Sequence, residues 1–426
     1  KLLGKATGLV GTSRISHATP AAFYAHVPSR RQENDISEQG VYQNLDVVLG
    51  GGRRHLLPHE DGGRRPDREN LVEVLQQRGY TFVTTAEELH KVKTGQVYGI
   101  FAPNNLEAEI DRPEFAPRQP TLEDMTKKAL ELLSQDPEGF FLLVEGSQVD
   151  WAGHANDPAH LLSDLLMFDR AVNAALDFAR QDGNTLVLAA SDHNTGGLTI
   201  GNYATSNYTR MEPEALLAPL KKMRLSTRGL WRKAGPLPTP EKIQAVVREF
   251  WGLEITPEEA QRILTRAPFR PGDPNFGFGE VICPKYTCIG WSTHGHTGGD
   301  VPLFAFGPGR PAGLLEGPEI GRVCARALGV NLDRLNARLF QDATAALPGG
   351  QVSIDAADPE NPVVKIAFRG QQAELPVNKN LLRLEGKTVP LEGVVVYVPQ
   401  TKKIFLPLQA VNLIKGAPDT LPAVAE

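Results

Sequence analysis

The stretch that decides the fold reads Gly139-Phe-Phe-Leu-Leu-Val-Glu145 and continues Gly-Ser-Gln-Val-Asp150-Trp-Ala-Gly-His154. Its first half is a continuous apolar run without alternation, the pattern of a strand buried on both faces in a helix-covered parallel sheet. Its second half sets two potential metal ligands, Asp150 and His154, four residues apart, so one helical turn carries both on one face. A buried strand that ends in Glu145 and feeds a ligand-bearing helix is the layout of an open α/β sheet. In such sheets ligands bind beyond the carboxyl ends of the strands.

Working outward, the strand half recurs. Asp46-Val-Val-Leu49 is closed by Gly50-Gly-Gly52, Thr185-Leu-Val-Leu-Ala-Ala190 follows the turn signal Asp182-Gly183-Asn184, and Val301-Pro-Leu-Phe-Ala-Phe306 stops at Gly307-Pro308. Helical patterns lie between. Thr121-Leu-Glu-Asp124 is a capping-box-like start, after which Leu122, Met125, Ala129 and Leu132 share a face. Leu161, Leu165, Phe168, Val172, Leu176 and Ala179 predict a long amphipathic helix. The alternation predicts an α/β fold over residues 1–345, with a mainly parallel central sheet flanked by helices. Two segments break the rhythm. From about 197 to 290, Thr239-Pro240-Glu241 and Thr256-Pro257-Glu258-Glu259 are Thr caps with Pro at the first helical position, which predicts a helical insertion. After Leu347-Pro-Gly-Gly350, the runs Val363–Phe368, Gly393–Val398 and Lys403–Leu406 predict a small β-rich C-terminal domain over 350–426.

Composition bounds the function. The 426 residues carry a net charge of −5 and are 41% apolar, which excludes a general nucleic-acid binder and a disordered chain. No apolar run reaches the ~18–20 residues of a membrane span, and the opening Lys1–Gly8 has no apolar region of a signal peptide. Cys283, Cys288 and Cys324 lack the paired spacing of a zinc ribbon. They read either as small buried hydrophobes or, for Cys283 and Cys288, as a disulfide closing a short loop.

Two further clusters add ligand types. Asp192-His193 lies just past the 185–190 strand, and Thr293-His294-Gly-His296-Thr-Gly-Gly299 precedes the strand at Val301. Mixed Asp/His sets at one sheet edge suit Zn²⁺ or another divalent transition metal. Two such ions about 4 Å apart would suit phosphoryl or sulfuryl transfer. Spacing leaves His294 and His296 as rivals.

Over roughly residues 1–335 the chain resembles the alkaline phosphatases. The resemblance rests on Ser16-His-Ala-Thr-Pro-Ala-Ala22 with His26-Val-Pro-Ser-Arg30, on Val48-Leu-Gly-Gly-Gly52, Phe140–His154 and Ser191-Asp-His193, and on His296-Thr-Gly298. It implies a metal-dependent phosphate monoester hydrolase working through a phosphoserine. Asp150, His154 and His296 are then ligands of a first zinc or cobalt ion, and Asp192 and His193 of a second. Thr19 and Glu145 would hold a third metal, Mg²⁺ or Zn²⁺/Co²⁺, and Arg30 would grip two phosphate oxygens, a bidentate task that Lys cannot copy. The family motif His-Thr-Gly selects His296 over His294. Phosphodiesterases and sulfatases share the metal box and are the nearest rivals; a non-catalytic metal- or phosphate-binding protein is the other.

Two departures accompany the resemblance. The family's nucleophilic serine falls upstream of the region matching Lys1, so the 426 residues alone are expected to be inactive. His17 and Trp151 occupy positions that vary in the family near the third metal. An imidazole at 17 ligates Zn²⁺ or Co²⁺ directly, and Trp151 offers only an N–H donor and an apolar body, so the third site is expected to favour a transition metal over Mg²⁺. The resemblance further implies a small phosphomonoester and inorganic phosphate as ligands, a homodimer, and a periplasmic or extracellular location.

Overall fold

The computed structural model describes residues 1–206, 208–266, 276–417 and 421–425. They form two compact units, one made of residues 1–106, 124–145 and 311–426, the other of 107–123 and 146–310.

The first unit is built on a five-stranded parallel sheet. Its strands are β1 (Ala6–Arg14), β2 (Val47–Gly51), β3 (Thr81–Val83), β4 (Val97–Ile100) and β5 (Phe140–Glu145), in the order β3-β4-β2-β1-β5. β1 and β5 run in register from Ala6↔Phe140 to Gly11↔Glu145. Helices Glu33–Tyr42, Leu71–Gln77 and Ala86–Lys91 lie between successive strands in the chain, as parallel pairing demands. Leu9, Val48, Tyr98 and Ile100 meet Ile36, Val41, Leu71 and Leu75 in one core. The Leu122–Leu133 helix buries Leu122, Met125, Ala129 and Leu132, the face its spacing predicts.

In the same unit, the strands Gln351–Asp355, Val363–Phe368, Gln371–Pro376, Leu381–Leu384 and Lys387–Pro390 form an antiparallel sheet. Val364, Ile366 and Phe368 are buried while Lys365 faces solvent, the period of two of a sheet covered on one side. A buried ionic cluster ties this sheet's loops to the α/β part. Lys379 Nζ lies 2.9 Å from Glu69 and 3.2 Å from Glu38. Arg65, almost wholly buried, pairs with Asp67 and lies 3.8 Å from Glu38 and 3.7 Å from Glu69. Three carboxylates face two cations, so with all three ionised one negative charge is in excess, and burial relieves it by favouring the neutral form of the most enclosed group. The Glu38 carboxyl is pushed up to about 8, by burial first, with Lys379 and Arg65 opposing.

The second unit carries the helices Gln148–Ala155 and Pro158–Asp182. The expected runs at 185–190 and 301–306 are strands, β6 (Val187–Ala190) and Leu303–Phe306, but they pair antiparallel with each other rather than extending the five-stranded sheet. β7 (Asn194–Thr195) pairs antiparallel with His296–Thr297. Between them, the insertion has its own core of Leu230, Val247, Trp251, Ile263 and Phe278; residues 207 and 267–275 of it lie outside the described residues. The Trp251 indole donates to Leu225 O at 2.8 Å. Both predicted caps form: Thr239 accepts from Lys242 N, and Thr256 makes a capping box with Glu259. The insertion's two ends are closed by Thr199–Ile200 pairing with Ile289–Gly290.

One reading needs correction, and one left open is settled. The Pro158–Asp182 helix forms, but Leu165 on its predicted face is 45% exposed, and the buried line is Asp164, Met167, Ala171 and Ala174. Both lines have helical spacing. The small Ala side chains allow close approach on the second, and Asp164 there accepts from Glu109 N at 3.0 Å. The cysteines are free thiols, with no Cys283–Cys288 bridge. Cys283 is buried, and burial pushes its thiol up to about 12. No described helix is long and apolar enough to cross a membrane.

Glu38 yields a signed prediction. A carboxyl whose folded value is raised above its unfolded one contributes stability below the unfolded pKa and loses it as pH climbs through the folded pKa. Glu38→Gln should therefore melt at a higher temperature than wild type near pH 9 and at the same temperature near pH 5, about the unfolded carboxylate range. Thermal unfolding at the two pH values checks this; a variant that is less stable at the higher pH would show that the cluster needs the third charge.

Candidate metal centre

In the second unit, the helix that follows β5 presents Asp150 and His154 one turn apart, as their spacing predicts. The pairing of β7 with His296–Thr297 sets Thr195 opposite His296. Paired residues of an antiparallel ladder project to one face, and a residue two positions away shares it. His193 and His296 accordingly stack with ring centroids 3.6 Å apart, and His154 lies 5.1 Å from His296. His154 Nε2 is 3.5 Å from Asp150 Oδ2, and His296 Nε2 is 3.7 Å from Asp150 Oδ1. Donor atoms of Asp150, His154 and His296 all fall within 4.8 Å of one another. His193 Nε2 lies 3.2 Å from Asp192 Oδ2, and Asp192 is exposed.

The hydrogen bonds fix which lone pairs point inward. His154 Nδ1 is 2.5 Å from His294 O. A carbonyl only accepts, so Nδ1 carries the hydrogen and Nε2 keeps its lone pair for a cation. His294 returns the bond, Nδ1 donating to His154 O at 2.8 Å, and its Nε2 is 2.7 Å from Glu280 Oε1. Both nitrogens of His294 are thus engaged away from the ligand cluster, a physical reason for His296 and not His294 to face a metal. Thr195 Oγ1 donates to Asp150 Oδ1 at 2.7 Å and lies 3.2 Å from His193 Nδ1. Burial alone would raise the Asp150 carboxyl; with no cation bound, hydrogen bonds from His154 in its doubly protonated form and from the Thr195 hydroxyl outweigh it and hold the group at about 2. An ionised carboxylate beside imidazole nitrogens is a donor set that fits Zn²⁺ or Co²⁺. Trp151, next to Asp150 on the ligand helix, is half-buried.

The remaining candidates belong to the first unit. Glu145 ends β5 and accepts from Ser13 Oγ at 3.1 Å. Thr19 sits in the short Ala18–Ala22 helix, with His17 at its N-cap. Arg30 is exposed, and its Nη2 is 3.1 Å from His17 Nε2. A guanidinium only donates, so that imidazole nitrogen accepts, and in this arrangement its lone pair serves Arg30 and not a cation. Sequence reading missed Thr195, Ser13 and Glu280 as site residues, and weighed His294 only as a rival ligand. Ser13 was open to detection as a polar residue near the carboxyl end of a buried strand; Thr195 and Glu280 act through contacts that spacing does not reveal.

Comparison with known proteins gives a consistent picture. Residues 1–330 match the family described as Alkaline phosphatase. The chain is 37% identical to alkaline phosphatase 3 of Bacillus subtilis over 337 residues, covering 77% of this chain and 69% of that protein. It is also 37% identical to alkaline phosphatase 4 of the same organism, covering 73% and 64%, and 30% identical to the repressible alkaline phosphatase of Saccharomyces cerevisiae, covering 79% and 66%. Among solved structures, the alkaline phosphatase of Thermus thermophilus superposes with a TM-score of 0.70 at 30% identity, over 76% of this chain and 71% of that one. The chain spans about two thirds of the length of the curated relatives it matches.

Zinc competition against a chromophoric chelator separates the two histidines. His296→Ala removes a donor atom and should weaken zinc binding by more than 100-fold. His294→Ala keeps the main-chain oxygen that orients His154 and removes only the imidazole's bonds to His154 O and Glu280, so a loss of no more than about 10-fold is expected, the low end of the range for outer-sphere partners of metal ligands. Equal losses in the two variants would overturn the distinction.

Proposed function

Because the chain belongs to the alkaline phosphatase family, we propose that it forms the larger part of a metal-dependent phosphate monoester hydrolase that works through a phosphoserine, the serine being supplied from outside these 426 residues. The observation that carries this reading is the convergence of Asp150, His154 and His296 donor atoms within 4.8 Å, with His193 stacked on His296. Asp150, His154 and His296 would hold one zinc or cobalt ion, and Asp192 and His193 a second. Thr19 and Glu145 are assigned to a third cation, Mg²⁺ or Zn²⁺/Co²⁺, with His17 and Trp151 as neighbours that tune it.

Bound cations would supply positive charge to lower the pKa of an attacking hydroxyl and to stabilise the leaving oxygen. The chain's own residues do the rest. His294 O keeps His154 in the tautomer that exposes Nε2. Arg30 binds the phosphoryl oxygens with its planar fork, whose five N–H groups leave enough for a two-oxygen grip while one of them meets His17. With a net charge of −5, the protein as a whole does not attract phosphate, so Arg30 and the bound cations set the local field. By the same family resemblance the complete protein would be a homodimer placed in the periplasm or outside the cell.

Activity assays test the proposal. Joined to a segment that supplies the serine, the chain should hydrolyse an aryl phosphate in preference to a phosphodiester or an aryl sulfate, lose activity on chelation and regain it with Zn²⁺ or Co²⁺. The 426 residues alone should form no phosphoenzyme. Fast turnover by the chain alone would refute the serine assignment, and equal rates on the diester or sulfate would refute the monoester one. Replacing His17 with Asp in the active protein should shift activation of the third site toward Mg²⁺.

A further inference from the structure

We propose that the Thr195 hydroxyl is a positioning group that couples the two cation subsites, orienting the carboxylate of one and selecting the imidazole tautomer of the other. The proposal rests on the metal-centre reading above and adds to it a residue that is not itself a ligand.

Thr195 has a single hydroxyl hydrogen, and Oγ1 lies 2.7 Å from Asp150 Oδ1. An ionised carboxylate offers only lone pairs, so the hydrogen is committed there. Toward His193 Nδ1, 3.2 Å away, Oγ1 then has only acceptor capacity. His193 Nδ1 must carry the ring hydrogen, which leaves the Nε2 lone pair for a cation. One hydroxyl thereby orders a ligand of each subsite. The same residue is the register partner of His296.

Its position is enforced sterically. A Cβ on Gly153 would come within 3.0 Å of Thr195 Cβ, Cγ2 and O, so the ligand helix approaches Thr195 only because residue 153, next to His154, has no side chain. Gly196, with φ +81°, sits where a Cβ would meet Gly153 O and the Trp291 ring at 2.7 Å. Two glycines thus let the ligand helix and the Thr195 strand come together.

Coupling follows from linkage. A cation on Asp150 immobilises the carboxylate that holds the Thr195 hydrogen, and an immobilised hydroxyl keeps His193 in its ligating tautomer. The ordering required for the second cation is then already met by the first, and by reciprocity the reverse holds.

The test titrates the metal-free 426-residue chain with zinc against a chromophoric chelator, and reads the ¹⁵N shifts of His193 in the zinc-free state. Wild type should take up two zinc ions with positive cooperativity and show His193 protonated at Nδ1. Thr195→Ser keeps the hydroxyl and should behave like wild type. Thr195→Val keeps the shape, loses the hydroxyl, and should bind zinc roughly 10–100-fold more weakly, without cooperativity and with mixed His193 tautomers. A Val variant that matches wild type in cooperativity and tautomer overturns the coupling while leaving the metal centre standing. A wild-type chain that binds no zinc overturns the metal-centre reading itself.

Discussion

The metal centre hangs on two backbone residue pairs, Thr195 with His296 and Asn194 with Thr297. An isolated two-stranded ladder is marginal in water even at hairpin length, so something else must hold this one. The clasp beside it does so: Gly196 N donates to Gly295 O at 2.9 Å, and Ser292 N and Thr293 N donate to Gly196 O at 3.1 and 3.2 Å. The close approach of Gly153 adds a steric wall. Three segments from residues 150–154, 192–196 and 292–297 meet with little slack, and the stacked imidazoles are the outcome.

Two carboxylate clusters in the molecule show how similar side chains reach different ends. Glu38, Asp67 and Glu69 converge as closely as Asp150, His154 and His296 do. In the first cluster Arg65 and Lys379 already stand between the carboxylates, so the chain supplies its own counter-charges and the cluster acts as a tie between the C-terminal sheet and the α/β core. In the second, the neighbours are imidazole nitrogens whose hydrogens are drawn outward by His294 O and Thr195, and their lone pairs are turned inward. Carboxylates pointing at permanent cations make a structural joint; a carboxylate pointing at lone pairs calls for a cation from solution.

Much of this was legible in the amino-acid order. The unbroken Phe140–Val144 run announced a buried parallel strand, and Asp150 and His154 announced a ligand pair, because both signals are local. The Thr-Pro-Glu caps of the insertion were equally local. The buried face of the Pro158–Asp182 helix was not, since two adjacent lines of residues fit the same period and tertiary packing chose the one with Asp164 and two alanines. The antiparallel pairing of the 187–190 and 303–306 strands was likewise hidden: an apolar run states that a strand is buried and not which neighbour it takes. Thr195 escaped notice because a threonine near a strand end is common, and its importance lies in the direction of one hydrogen. His294 is set apart from His296 by the His154 backbone carbonyl, 140 residues away in the chain, which accepts from its Nδ1.

The insertion leaves and returns through a closed base, Thr199–Ile200 against Ile289–Gly290, and gathers most of its apolar residues into one core, which also takes in Ala159. A segment with these properties can vary in length away from its base. Its length enters the free energy of the ligand cluster only through the closure entropy of a loop whose ends are already fastened, a term that changes by about 0.6 kcal/mol for each doubling. Evolution can therefore enlarge or trim it, provided the helix that carries Glu280 stays in place to hold His294. Variation in what surrounds the metal centre can accumulate there while the centre itself stays constant.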